Sequence, residues 1–259
     1  MLTKQHLVLL FLGLFCFTGP TLGQTDVFLK GIEAYQAKNY EAAKENFVKA
    51  LELQPEAAEV LLNLGLTYHA LGDAPRSLAY LRKAKSRDPN SAAAHEALKF
   101  LRSKGIGSEP LHSGLLAEAA EVLQRIPAVL FLILNPIFFI LAGWGLLSYL
   151  ARKRKASDAD TVVFPRSLVL LMSAWGVGMS AQGLRTYYSL ETLATVIAPQ
   201  AQVLAAPKPG APSLFEIGGG TEVLVLESKN EADKEWLQIQ NRSDEVGWTP
   251  AEGLIVTSF

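Results

Sequence analysis

The chain has 259 residues with 24 basic against 25 acidic side chains, a formal net charge of −1, and that balance excludes a protein gripping nucleic acid through bulk positive charge. Its hydrophobic content of 49% and mean hydropathy of +0.20 are high for a soluble chain and point to bilayer spans. A single cysteine excludes a disulfide framework.

Residues 1–23 open with Lys4, an apolar run from Leu7 to Phe17, Pro20, and small residues at Thr21 and Gly23. This is the pattern of a secretory signal peptide cut before Gln24. Cys16 lies inside it behind bulky Phe15, unlike a lipoprotein site. The mature chain is therefore expected to carry no thiol.

Residues 24–105 contain a repeat: Gly31 and Gly65, Ala50 and Ala84, and Pro55 and Pro89 are each 34 positions apart. Helix pairs are predicted over Phe28–Lys38 with Tyr40–Leu53, and over Val60–Leu71 with Pro75–Arg87. Asn39 and Gly72-Asp73 make the turns. The repeats cover 24–57 and 58–91, and a capping helix covers 92–104, with Ser91 as N-cap and Gly105 as stop. A linker, 106–125, ends in an amphipathic helix over Leu115–Arg125. Leu115, Leu116, Ala119, Val122 and Leu123 share one side, with Glu118 and Glu121 facing away. That helix is read as lying on a membrane or packing on the repeats.

Residues 126–150 hold Asn135 and Ser148 as their only clearly polar side chains, and at 1.5 Å per residue about 20 residues cross a bilayer core. A second span is predicted over 167–187. The loop between them, 151–166, carries five basic residues against two acidic, which places it in the cytoplasm and both flanking regions outside. Small residues, Ala142, Gly143 and Gly145 facing Ser173, Ala174, Gly176, Gly178 and Ser180, would let the spans approach. Neither span contains Asp, Glu, Lys or His, so transport by this chain alone is not expected.

From 194 onward the pattern turns to short alternating strands. Four are predicted at Thr221–Glu227, Trp236–Gln240, Val246–Thr249 and Leu254–Val256, and five or six short strands in all suggest a small barrel. The fold class is thus multidomain: all-α helical repeats, two transmembrane helices and a small all-β barrel.

The first region resembles the tetratricopeptide repeat family through Leu61, Leu64, Gly65, Tyr68, Leu81, Ala84 and Pro89. Ser77 stands where alanine is usual, and Lys30 and Ala34 stand where leucine and tyrosine are common. The resemblance implies a groove lined by Phe28, Ile32, Tyr35, Leu62, Leu66 and His69. These side chains suit an apolar or aromatic segment of a protein partner; plain helix-on-helix packing is the alternative. The terminal region resembles the bacterial SH3 domain through Gly247-Trp248-Thr249-Pro250 and Leu254-Ile255. That resemblance implies an aromatic surface at Trp236 and Trp248 for wall peptides or protein segments; a mostly core placement of either tryptophan is the alternative.

Taken together, the order of parts, with Asn63-Leu64-Gly65, Asp88-Pro89-Asn90 and residues 194–199, resembles the BatE family of aerotolerance proteins. The resemblance implies a scaffold at the outer face of a bacterial inner membrane, beside membrane proteins with von Willebrand factor A domains. An envelope sensor gripping peptidoglycan through the barrel is the competing reading. The four histidines, His6, His69, His95 and His112, are scattered, and no Gly-x-Ser-x-Gly elbow is present. No enzyme activity, cofactor or metal is expected.

Overall fold

The computed structural model describes residues 22–108, 110–155, 163–231 and 233–258. The expected leader, with Cys16, lies outside these residues except for Leu22 and Gly23, which begin the first helix. The centre of the basic loop, 156–162, lies outside them too.

Two helix pairs lead the fold: α1 (Leu22–Gln36) with α2 (Tyr40–Leu53), and α3 (Ala58–Ala70) with α4 (Ala74–Arg87). They are followed by α5 (Ala92–Ser103) and α6 (Leu115–Gln124). Short polar side chains start three of these helices by satisfying an orphan N–H. Asn39 Oδ1 accepts from Ala42 N at 3.3 Å, Asp73 Oδ1 from Arg76 N at 3.1 Å, and Ser91 Oγ from Ala94 N at 3.3 Å. Pro75 sits in the first turn of α4, where its missing N–H costs nothing.

The 34-residue spacing has a packing cause. A Cβ on Gly31 would come within 2.6 Å of the Phe47 ring, and one on Gly65 within 2.8 Å of Leu81 Cγ. Each glycine lets the second helix of its repeat press a large side chain onto the first. Phe47, with Ala43, Ala50, Val60 and Leu64, forms one core; Leu81 forms another with Leu78 and Leu101. Fully burying side chains of this size stabilises by about 1.5–3 kcal/mol each. The turns are equivalent but not equal: Gly72 has φ +82°, whereas Lys38, one period earlier, adopts φ +60°. A left-handed conformation costs a residue with a Cβ about 1–2 kcal/mol.

Two further helices, α7 (Ala128–Lys155) and α8 (Arg166–Leu190), pack on one another and are long and apolar enough to cross a membrane. Only 11% and 6% of their most apolar windows are buried, unlike the core helices of a soluble protein. Asn135, beside Pro136, is 7% exposed and donates from Nδ2 to Gln182 Oε1 at 2.8 Å. It thus joins the two helices by a side-chain bond. Gly178 makes room for it, and Gly145 lies against Leu168, whereas Gly143 and Gly176 face open space. The small-residue contact expected between the spans is therefore partial.

The C-terminal part is a seven-stranded antiparallel sheet in the order β3-β2-β6-β5-β4-β1-β7. Its strands are β1 (Thr192–Val196), β2 (Gln200–Leu204), β3 (Ser213–Gly218), β4 (Glu222–Glu231), β5 (Lys234–Gln240), β6 (Val246–Pro250) and β7 (Leu254–Val256). Among the described residues β3 and β7 do not pair, so the sheet is open where a barrel was expected. Short β7 spends its ladder on β1, and β2 meets β6 at the single pair Leu204↔Trp248. Bulges at Val203/Leu204 and Val225/Glu227 bend the sheet around a core of Val196, Val203, Val223, Leu237 and Ile239. The extra strand, β1, follows α8 after one residue, so the apolar hairpin runs directly into the sheet.

Candidate functional site

The six groove residues fall into two groups. Phe28, Ile32 and Tyr35 on α1 are half-buried against the Phe47 core, with the Phe28 and Phe47 rings 5.8 Å apart. On α3, Leu62 and Leu66 lean on the Leu78–Leu81–Leu101 core. His69 meets the half-exposed Phe100 ring edge-on at 6.0 Å, and Lys104 Nζ lies 5.7 Å from the same ring. These side chains therefore share helix packing with whatever surface they offer. A patch of His69, Phe100 and Lys104 is present that the spacing argument did not single out.

The second helix of the second repeat carries a feature absent from the sequence reading. Arg82 on α4 reaches the sheet, where Nη1 donates to Thr195 Oγ1 at 3.0 Å and to Gly220 O at 2.9 Å. Its Nε lies 3.6 Å from Glu222 Oε1, and the two side chains are only 12% and 11% exposed. Glu222 Oε2 also accepts from Leu111 N at 2.9 Å, drawing the linker into the same seam. Burial pushes the Arg82 guanidinium below its ordinary value, and the Glu222 carboxylate opposes that push. Leu78 and Pro75 fill the space beside it: a Cβ on Gly220 would come 2.8 Å from Leu78, and one on Gly219 2.8 Å from Pro75. Gly218-Gly219-Gly220 is thus the docking turn for α4. The signal was present in outline, because Leu78 and Arg82 stand four apart on one helix face.

Between α4, α5, α6, the end of α8 and the sheet lies a cavity of ≈ 910 Å³. Glu121 of α6 enters it and meets Lys85 at 2.8 Å, Arg125 at 3.3 Å and His95 at 3.5 Å. Contrary to expectation, Glu121 faces the repeats, while Leu115 and Leu116 are 84% and 66% exposed. At the base His112 Nε2 stands 2.5 Å from Glu191 Oε2 and its ring meets Tyr188 edge-on at 5.2 Å.

Of the two tryptophans read on the sheet, Trp236 takes the core alternative. Trp236 is 2% exposed, in the middle strand between Lys229 of β4 and Pro250 of β6, and Glu231 O accepts from its indole N–H at 3.3 Å. Trp248 is half-buried on β6, opposite Leu204 and Gln238, so it alone of the pair offers surface. Among the described residues no group of three or more His, Cys, Asp or Glu is placed to hold a metal ion.

Residues 28–92 match the family described as Tetratricopeptide repeat. No curated protein matches the chain. The match spans both glycine-to-large-residue contacts, Gly31–Phe47 and Gly65–Leu81, and the N-caps Asn39 and Asp73, and this is a protein that contains tetratricopeptide repeats.

Proposed function

We propose that this chain is a non-enzymatic, membrane-anchored adaptor that holds partner proteins at the outer face of a bacterial inner membrane. The observation that carries the reading is the buried seam of Arg82, Thr195, Gly220 and Glu222. It ties the repeats to a sheet that follows the apolar hairpin after one residue, so a partner held by the repeats is held at a set distance from the bilayer. Tetratricopeptide repeats commonly bind proteins, and the Phe28–Tyr35 and Leu62–His69 faces are apolar and aromatic. The sheet is read as a bacterial SH3-type module. The partners are membrane proteins with von Willebrand factor A domains, as the resemblance to the BatE family implies. Transmembrane placement of α7 and α8 with Arg152, Lys153, Arg154 and Lys155 inside puts repeats and sheet on the same outer side.

The test is in-cell cross-linking, extraction of the intact chain and mass spectrometry of what accompanies it. Ile32, Tyr35 and Leu66 share in core packing, so the variant that spares the fold is His69→Ala with Phe100→Ala. Capture of von Willebrand factor A proteins is expected in the parent and its loss in the variant. Recovery of peptidoglycan fragments alone, lost with Trp248→Ala, would replace this reading with that of a wall-binding sensor.

A further inference from the structure

One face of α8 changes character along its length. Ser173, Gly176, Val177, Ser180 and Leu184, with Leu123 of α6, line a groove of ≈ 620 Å³. A Cβ on Gly176 would meet nothing within 4 Å, so the groove is open there. One step further up the same face, Arg185 and Tyr188 line the ≈ 910 Å³ cavity. Groove and cavity are consecutive because Ala181, Leu184, Arg185 and Tyr188 follow at helical spacing.

The cavity end of this face is polar and incompletely satisfied. Arg185 Nε is buried without a hydrogen-bond partner among the described residues. Of the carboxylates lining the cavity, Glu121 pairs with Lys85 and Glu222 with Arg82; Glu191 Oε2 stands 2.5 Å from His112 Nε2, and these two atoms, like Arg185 Nε, make no hydrogen bond among the described residues. Glu118 is exposed. A buried guanidinium donor without an acceptor is costly, and an anion entering the cavity would satisfy it.

We propose that the groove and the cavity together form a binding site for one anionic phospholipid, with its phosphate at Arg185 and an acyl chain along Ser173–Leu184. From Ser173 to Leu184 the helix rises about 16 Å, close to half of a hydrocarbon core of about 30 Å. The groove is therefore one leaflet deep. A partner helix would continue straight past α6, whereas the site turns at Leu184 from apolar groove to charged cavity, as an amphiphile does. The proposal rests on the reading of α7 and α8 as membrane spans.

The experiment is native mass spectrometry of the full chain extracted in mild detergent, then delipidated and offered phosphatidylglycerol or phosphatidylcholine. One retained phosphatidylglycerol per chain is expected, preferred about tenfold or more over the neutral lipid, as a charged hydrogen bond implies. Arg185→Gln should equalise the two lipids. Gly176→Leu should abolish retention of both, and Gly143→Leu, whose added bulk also points into open space, should leave it unchanged. A membrane-resident chain that retains no lipid overturns the site alone, as does equal retention by the two glycine variants. A dimer dispersed by Gly176→Leu assigns the groove to a second copy, and a delipidated chain that retains added inorganic phosphate through Arg185 but no phosphatidylglycerol makes the cavity a free-anion site; both overturn the proposal. A chain recovered in the aqueous fraction overturns the membrane reading and the site with it.

Discussion

Ser77 is fully buried in α4, and its hydroxyl has no partner among the described residues. An unsatisfied buried polar group costs about 1–3 kcal/mol, so Ser77→Ala should stabilise the repeats by about 1 kcal/mol, with slower hydrogen exchange in α3 and α4 as the readout. Faster exchange would mean the hydroxyl is bonded. Gly65→Ala should act in the opposite sense. Alanine gains about 1 kcal/mol of helix propensity, but its Cβ would lie 2.8 Å from Leu81 Cγ and 3.1 Å from the Leu81 backbone N. The backbone atom cannot swing aside, and overpacking costs about 1–3 kcal/mol. A net loss is expected, measured as a lower denaturation midpoint of the repeat helices. The glycine was legible from its 34-residue spacing; the orphaned hydroxyl was visible only as Ser77 in an alanine position.

At the scale of elements, α6 is held by charge as much as by apolar contact. Burial raises the Glu121 carboxyl, but the hydrogen bond and charge of Lys85, with His95 and Arg125, outweigh it and hold the group below its ordinary 4.5. Because the folded-state value lies below the unfolded one, this link stabilises above about pH 4.5 and is lost as pH falls through the folded value. Glu121 is 39% exposed, so solvent screening keeps the effect small. The protection of α6 amides, taken relative to their intrinsic exchange rate at each pH, should fall as pH drops below about 4.5, and Glu121→Gln should flatten that dependence. No difference between parent and variant would show that α6 is held by Ala120 and its neighbours. The sequence placed Glu121 away from the apolar side of α6, and both orientations fit a helical wheel. Lys85, 36 residues distant in the chain, decided between them.

For the whole molecule, Arg82 is the residue on which the relation of repeats to sheet turns. Arg82→Ala should destabilise the assembled fold by about 3–5 kcal/mol, the cost of leaving a buried carboxylate without its partner. The expected signature is protease cleavage in the linker 104–114 with the helices of the repeats intact. Replacing Glu222 as well, as Arg82→Met with Glu222→Met, should recover much of the loss, since neither charge then remains buried alone. If Arg82→Ala leaves the linker resistant, the seam is held by Pro75 and Leu78 on the glycine turn, and the ion pair is incidental.

What the sequence determined by itself is local and periodic. The 34-residue spacing, the caps Asn39, Asp73 and Ser91, two long apolar runs and the alternation of Val223, Val225, Leu237 and Ile239 all depend on neighbours a few residues apart. What only the tertiary structure decided depends on residues far apart in the chain. Arg82 meets Thr195 and Gly220 across 113 and 138 positions, Trp236 is buried on β5, and β1 extends a sheet that stays open among the described residues. Hydrophobic period and capping are read from one element at a time, whereas a buried ion pair or a sheet edge has no meaning until two elements have met.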